Sequence, residues 1–257
     1  MIYRPRSTKI NQILQKLPHS VVATSDWLNK QGLDKRSAYQ YENNNWLESI
    51  GTGAYKRYGD NISWEGALYA IQKQLKLDIH VGGRTALELL GKSHNINFNL
   101  NQSFLFTSSK ANLPKWFKTH NWQSNLTLIK TQFLNPDTAL KELDMGNFKL
   151  QISSPERAIL EALYLVPKQQ DFQECYYLME GLMDMRPKVL QSLLEECKSI
   201  KVKRLFLFMA DKAKLPCLKR LDLDRINLGS GKRVIVPYGN FDSQYQITYP
   251  KGFQINE

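Results

Sequence analysis

Residues 24–58 read TSDWLNKQGLDKRSAYQYENNNWLESIGTGAYKRY, and this stretch carries the clearest structural signals in the chain. Either of its first two residues can cap a helix, and Gly32 supplies the stop at the end of that helix. Asp34 can then cap another helix, which the pattern predicts from Lys35 to about Asn44. Two short helices joined by a glycine-containing turn are typical of a helix-turn-helix.

A hairpin signal follows the second of these helices. Residues 46–50 and 54–58 have the composition of short strands, and Gly51-Thr52-Gly53 favours a tight turn between them. Before the quoted stretch we expect one more helix, from a cap at Ser7 or Thr8 to about Lys16, because its apolar residues recur at helical spacing. Three helices followed by a hairpin predict a winged helix-turn-helix, which we expect to occupy residues 1–60.

The outer face of the last helix carries the candidate DNA contacts. A winged helix-turn-helix places this helix in the major groove, where Arg and Lys pair with guanine and Gln and Asn pair with adenine. The side chains expected there are those of Lys35, Arg36, Ser37, Tyr39, Gln40 and Asn43. The hairpin adds Thr52 at its turn and Lys56 and Arg57 on its return strand, which suit phosphates or the minor groove. The periodicity leaves open whether Tyr39 or Tyr41 points inward.

The charge of the chain supports an anionic partner. Lys and Arg outnumber Asp and Glu by 35 to 24, which gives a formal charge of +11. The excess lies at the two ends: residues 1–62 hold 9 basic and 5 acidic side chains and residues 186–257 hold 14 and 7, whereas residues 63–185 hold 12 of each. Surplus charge also serves solubility. The basic C-terminal region could meet DNA, RNA or an acidic protein surface, and the sequence does not separate these.

Residues 61–257 predict a larger domain of mixed helices and strands. Ser63 caps an amphipathic helix, and Pro155 follows a Ser cap at the start of another. In the tail, alternating residues predict strands around 234–236 and 245–249. The expected fold class is therefore α+β, with an N-terminal winged helix-turn-helix followed by a larger mixed α+β domain.

Several classes of protein do not fit the sequence. The longest apolar run, Leu205–Ala210, is far shorter than the ~20 residues of a membrane-spanning helix. No apolar segment of a secretory signal follows the first residues. Three widely spaced cysteines and four dispersed histidines give neither a disulfide framework nor the spacing of a zinc site. We therefore expect a cytoplasmic protein with no membrane partner.

No group of residues has the spacing of a catalytic site. Gly231-Lys232 has part of the pattern of a phosphate-binding loop, but Ile226 and Arg233 stand where that loop needs Gly and Ser or Thr. Asp222 and Asp224 could hold a metal ion, and they could equally be solvated residues at the end of a strand. We expect no enzyme activity, no cofactor and no metal site.

Five stretches beyond residue 60 together point to a known family. They are WEGALY at 64–69, HVGGRTALEL at 80–89, ISSPERAILE at 152–161, VKRLFL at 202–207 and LGSGKRV at 228–234. With these stretches and its N-terminal winged helix, nearly the whole chain resembles the AbiEi antitoxins of bacterial type IV toxin–antitoxin systems, which act in abortive infection.

The resemblance implies two functions for two domains. The winged helix would bind inverted repeats in the promoter of its own operon and repress it, and the domain at 61–257 would counteract a toxin of nucleotidyltransferase type, with or without direct contact. Two alternatives stay open on the residues alone. One is a nucleic-acid-modifying enzyme with a DNA-binding module, and the other is a protein-interaction module that does not bind DNA.

Overall fold

The structure is a computed structural model and describes residues 9–92, 102–108 and 110–255 of the 257-residue chain. The first elements are α1 (Lys9–Lys16), β1 (Ala23–Thr24), α2 (Ser25–Lys30), α3 (Lys35–Asn43), β2 (Leu47–Gly51), β3 (Ala54–Arg57) and α4 (Trp64–Lys73). Next come β4 (His80–Val81), α5 (Gly83–Leu89), β5 (Gln102–Thr107), α6 (Lys115–Thr119), β6 (Asn125–Lys130), β7 (Leu140–Asp144) and β8 (Lys149–Ser153). The last are α7 (Pro155–Leu165), α8 (Phe172–Glu180), α9 (Pro187–Glu196), α10 (Ile200–Lys212), β9 (Asn240–Asp242) and β10 (Ile247–Tyr249), with two short 3-10 helices at 216–220 and 223–225. The predicted α+β class is confirmed.

The described chain forms two compact units, and neither is a single stretch of sequence. The first contains residues up to 79 together with 111–125 and 142–150, and the second contains the described residues of 80–110, 126–141 and 151–257. The first unit therefore extends past residue 60 and includes two later segments. That residues 1–60 form the DNA-binding domain remains a prediction.

The first unit begins with the element order of a winged helix-turn-helix. Helices α1, α2 and α3 precede the β2–β3 hairpin, and β1 pairs antiparallel with β3 to give a three-stranded sheet in the order β1-β3-β2. Gly32 adopts a φ of +79° after α2, as its predicted role as a helix stop requires. The proposed caps of α1 at Ser7 and Thr8 lie outside the described residues.

The core of this part of the chain is apolar and continuous. Its buried members come from all three helices and from the sheet, and Trp27, Tyr41, Tyr69 and Phe148 pack around them at partial exposure. The buried members are Ile10, Ile13, Leu14, Leu17, Val21, Ala23, Leu28, Leu33, Ala38, Leu47 and Tyr55. Burial of this set holds α3 in place, because such side chains each contribute roughly 1.5–3 kcal/mol when removed from water.

Helix α4 is joined to the segment between α1 and α2 by close contacts. A Cβ atom on Gly66 would lie 1.9 Å from the carbonyl oxygen of Ser20, so only glycine allows the helix to approach this closely. The amide of Gln74 donates to the Val22 carbonyl at 2.7 Å and accepts from the Thr24 backbone N–H at 2.8 Å. The segment between α1 and α2 is thus hydrogen-bonded to Gln74. Because Gln74 lies beyond residue 60, residues 1–60 alone could not predict these contacts.

The second unit contains β4, β5, most of β6 and part of β8, and helix α5 packs against β5. A five-stranded sheet has the order β6-β5-β4-β8-β7, in which β4 pairs antiparallel with β5 and parallel with β8. Helix α7 packs against α5, α8, α9 and α10. The short strand β4 and the start of α7 therefore lie next to each other in the middle of this unit.

The tail differs from the prediction at one of its two strands. Residues 234–236 form no strand; instead β9 pairs with β10, with Asp242 opposite Ile247. The hydroxyl of Thr248 accepts from the backbone N–H of Ile235 at 2.9 Å and donates to the carbonyl of Val236 at 2.8 Å. A side chain has taken the place of the expected strand partner, so alternation alone gave the wrong element here.

Candidate nucleic-acid interface

Helix α3 begins at a well-formed cap. The Asp34 carboxylate accepts from the Ser37 backbone N–H at 2.7 Å, which satisfies one of the free donors at the start of the helix. Hydrogen bonds from the backbone and side chain of Ser37 lower the pKa of Asp34 below its ordinary value. The Ser37 side chain is half-buried and is used at this cap.

The inward and outward faces of α3 are clearly separated. Ala38 is buried and Tyr41 packs at partial exposure against the core, whereas the side chain of Tyr39 is 63% exposed. The structure therefore resolves the choice that the periodicity left open, with Tyr41 inward and Tyr39 outward. The outward face is polar, as a helix that reads a DNA groove requires.

The remaining predicted residues of α3 lie on this outward face. Lys35, Arg36, Gln40 and Asn43 are exposed, and within the described part of the chain none of their side chains makes a hydrogen bond or ion pair. Together with Tyr39 they present two cations, two amides and one aromatic ring. These groups can donate to and accept from base edges and phosphates without first breaking a contact within the protein.

The wing presents its turn to solvent. Thr52 is exposed between Gly51 and Gly53, which have φ values of +147° and +79°. The Gly53 carbonyl accepts from the Ser25 backbone N–H at 2.9 Å, so the turn is tied to the first residue of α2. The structure thus holds Thr52 at the tip of a fixed hairpin.

The other two predicted wing residues have partners inside the protein. Lys56 Nζ lies 2.9 Å from Glu48 Oε2 and donates to the Asp60 carbonyl at 2.9 Å. The Arg57 guanidinium donates to the carbonyls of Leu14 and Leu17 at 2.8 and 2.9 Å, where it neutralises the C-terminal end of α1. Neither cation is free in the way that the outward side chains of α3 are, so among the predicted contacts α3 and Thr52 carry the groups without internal partners in the described residues.

Sequence reasoning missed the residues that fix the helix-turn-helix turn. Lys9 Nζ donates to the carbonyl of Gly32, and Lys16 Nζ donates to the side chain of Gln31 at 3.2 Å. Both lysines stand on α1, more than ten residues from the turn. Their partners lie 23 and 15 positions away along the chain, so no local signal could have revealed these contacts.

The second unit buries a carboxylate in the middle of the family motifs. Glu161, which is 0% exposed, accepts from the Gly83 backbone N–H at 3.0 Å and from the Ser153 hydroxyl at 2.7 Å. The ring of His80 and the guanidinium of Arg157 lie 2.9 and 2.8 Å from its other oxygen. Burial alone would raise the pKa of Glu161, but the charges and hydrogen bonds of His80 and Arg157 outweigh burial and hold the pKa at about 2.

This arrangement explains the glycines of the motif in structural terms. A Cβ atom on Gly82 would lie 2.2 Å from Glu161 Oε2, and Gly83 has a φ of +58°. Arg157 also donates to the carbonyls of Asn135 and Thr138 at 2.6 and 2.7 Å. The motifs around 80–84 and 153–161 thus meet in one buried hydrogen-bond network centred on Glu161.

A second ion pair lies at the start of α7. Glu156 accepts from the Ser154 hydroxyl at 2.7 Å, and Arg186 binds its two oxygens through Nε and a terminal nitrogen, both at 2.9 Å. Burial raises the pKa of Glu156, but the hydrogen bonds from Arg186 and Ser154 outweigh it and hold the pKa at about 2. Both oxygens of Glu156 therefore have donors within the protein at the first turn of α7.

The glycine-rich turn near the C terminus surrounds a buried arginine. Arg204 of α10 donates to the carbonyls of Leu228 at 2.8 Å, Gly229 at 3.1 Å and Gly231 at 2.5 Å. A phosphate-binding loop turns its N–H groups inward, whereas this turn presents carbonyls to a cation. The geometry explains why the sequence fits the phosphate-loop pattern only in part.

The aspartates and cysteines that the sequence offered as reactive or metal-binding residues form no site among the described residues. Asp222 and Asp224 are exposed at a 3-10 helix, and the described residues contain no cluster of three or more His, Cys, Asp or Glu that could hold a metal ion. Cys175, Cys197 and Cys217 are free and buried, and burial raises the pKa of each thiol. None of the helices in the described residues is long and apolar enough to cross a membrane.

Comparison with known proteins agrees with the geometry. A family model described as the N-terminal domain of the AbiEi antitoxin transcriptional regulators matches residues 6–98, and a second model, described as transcriptional regulator, AbiEi antitoxin, type IV TA system, matches residues 101–250. No curated protein matches the sequence. The crystal structure of the RV2827C protein from Mycobacterium tuberculosis has a similar fold, with a TM-score of 0.61 and 16% identity over 93% of this chain and 88% of that one. This chain belongs to the AbiEi antitoxin family of type IV toxin–antitoxin transcriptional regulators.

Proposed function

We propose that this chain binds the promoter of its own operon, represses it, and serves as the antitoxin to a toxin of nucleotidyltransferase type. The single observation that carries the DNA-binding part is the outward face of α3, where Lys35, Arg36, Gln40 and Asn43 are exposed without partners in the described part of the chain. In a winged helix-turn-helix this is the helix that enters the major groove.

The chemistry of that face suits specific recognition. Arg36 and Lys35 can donate to guanine, and Gln40 and Asn43 can each exchange two hydrogen bonds with adenine. Tyr39 can contact a thymine methyl group or a phosphate, and Thr52 can reach the backbone from the wing. Inverted repeats as the operator follow from the family resemblance, and they would place two copies of the chain on one site.

The antitoxin part of the proposal rests on the family. As part of the same proposal, the protein acts in the cytoplasm and has no enzyme activity; the Glu156 and Glu161 carboxylates of the second unit accept hydrogen bonds from donors within the protein. Neutralisation of the toxin through direct contact and neutralisation without it both fit these observations.

The test is the binding of the full chain to the DNA upstream of its own gene. Fluorescence anisotropy with the upstream region and with a scrambled duplex of equal length should give a preference of about 10³-fold or more for the upstream region. A promoter fused to a reporter should be repressed when the chain is expressed. Equal affinity for both duplexes, with no repression, would refute the proposal.

A further inference from the structure

A segment far from the winged helix in sequence belongs to the same compact unit. Residues 111–125 lie in the first unit and contain helix α6. This segment carries two lysines, Lys115 and Lys118, and no acidic residue. It was not among the sequence-predicted DNA contacts, because its basic residues lie more than 50 positions beyond the wing.

Helix α6 is packed directly against the wing. The Cβ position of Gly51 lies 3.0 Å from Trp116 Cβ and 3.3 Å from Trp116 Cα. Gly51 immediately precedes Thr52 at the tip of the hairpin. Since consecutive Cα atoms are about 3.8 Å apart, the Cα atom of Lys115 lies within about 12 Å of that of Thr52.

The position of α6 is fixed by its aromatic residues. Trp116 is 5% exposed and Phe117 is 1% exposed, with their ring centroids 5.7 Å apart. The carbonyl of Phe117 accepts from the indole N–H of Trp122 at 2.7 Å. Any ligand that touches the wing tip therefore meets a helix that is already ordered beside it.

The two lysines point to solvent from this fixed helix. Lys115 and Lys118 are exposed, and within the described residues neither forms an ion pair. Positions three apart on a helix lie on the same side, so the two ammonium groups can act on one surface. Each is a mobile point charge with three donors, which suits a phosphate better than a base edge.

We propose that α6 extends the DNA-binding surface beside the wing, and that Lys115 and Lys118 contact phosphates of the same duplex that α3 reads. This inference rests on the proposed function. The surface beside the wing then has two parts, which are Thr52 of the hairpin and the two lysines of α6, more than 50 positions later in the sequence. The contacts are independent of base sequence, so they strengthen binding to every duplex alike.

The experiment compares salt dependence in the full chain. Each phosphate contact contributes about −0.9 to the slope of log affinity against log salt, so the double variant Lys115→Ala and Lys118→Ala should make this negative slope shallower by about 1.8. If wild type and the variant have the same affinity at 1 M salt, the variant should bind DNA roughly 60-fold more weakly than wild type at 0.1 M salt. The loss should be equal for the upstream region and the scrambled duplex, and Lys→Arg at both sites should restore the slope.

A control removes the same charge elsewhere. Lys141 and Lys168 are exposed in the second unit and lie outside the basic region 186–257, and their double Ala variant should keep the wild-type slope. If the Lys115/Lys118 variant is folded by circular dichroism and binds both duplexes with the wild-type affinity and slope, the inference is overturned, and α6 becomes a candidate surface for a protein partner. Failure of the proposed function looks different, because wild type itself would then show no preference for the upstream region.

Discussion

The two ends of the chain both carry an excess of positive charge, and the cations of α3 differ in their surroundings from five basic side chains of the C-terminal region. On α3, Lys35 and Arg36 face solvent without partners in the described residues. In the C-terminal region, five basic side chains bind carbonyls or carboxylates of the protein itself. They are Arg186, Lys201, Lys203, Arg204 and Arg225.

The difference teaches that net charge does not identify a binding surface. The C-terminal region has the larger excess, yet part of it holds loops and helix ends in place. The N-terminal excess is smaller, but its free cations lie on one helix face with amides that can read bases. Which cations are left unpaired, rather than how many there are, decides where an anionic partner can bind.

The largest effect is expected on stability, when a buried carboxylate of the second unit is removed. Glu161→Ala removes the acceptor of Arg157, Ser153 and the Gly83 N–H, and it leaves a buried guanidinium without its carboxylate. Loss of one partner of a buried ion pair costs about 3–5 kcal/mol, so the free energy of unfolding in urea should fall by that amount. Glu195→Ala, which removes a partly exposed pair with Arg225 and a hydrogen bond from the Gln191 side chain, should cost less, about 1–2 kcal/mol.

A smaller effect is expected where a cation serves a loop. Arg204→Met should lower the free energy of unfolding by about 2–3 kcal/mol, because several charged hydrogen bonds to backbone carbonyls are lost. The salt dependence of DNA binding should not change. Lys232→Met in the same turn is the control, since its ammonium lies over the ring of Phe241, 4.8 Å from the ring centre. A loss of salt dependence in the Arg204 variant would contradict a purely internal role.

Arg57 belongs to the N-terminal region but, like the five C-terminal cations, it has partners within the protein. Arg57→Met should cost about 2 kcal/mol of stability through the lost bonds to Leu14 and Leu17. The slope of affinity against salt should stay at its wild-type value in the folded variant. A negative slope that is shallower than that of wild type by about 0.9 would show that Arg57 also contacts a phosphate.

The pH dependence of stability provides a milder test. The folded pKa of Glu156 is about 2, below its ordinary value of 4.5, so its contribution is complete above pH 4.5 and is lost as the pH falls towards 2. Glu156→Gln lacks this contribution at every pH. The difference in Tm between wild type and the variant should therefore shrink between pH 5 and pH 2, and a constant difference would show that Arg186 does not stabilise the charged form.

Local signals in the sequence predicted much of the first unit. The Asp34 cap, the Gly32 stop and the turn at Gly51–Gly53 are set by neighbours within a few residues, and the structure has all three. The start of α7 at Pro155 is local in the same sense. Such features depend on backbone geometry that particular residue types favour or forbid, so a single sequence is enough to find them.

Contacts between distant residues could not be predicted in this way. Trp116 lies 65 positions after the glycine it packs on, and Gln74 lies 50 positions after its partner Thr24. The partners of Arg57 and Arg204 are backbone carbonyls, which every residue has and which carry no sequence signal. The candidate site on α3 was therefore visible from the sequence, whereas the supports around it were not.

The central claim is that the outward face of α3 reads DNA sequence, and Arg36 tests it most directly. Anisotropy titrations of wild type and Arg36→Ala with the upstream region and with a scrambled duplex separate base contacts from phosphate contacts. We expect the variant to bind the upstream region about 10-fold to 100-fold more weakly and the scrambled duplex only a few-fold more weakly. An equal loss on both duplexes, or no loss on either, would contradict a base-reading role for this helix.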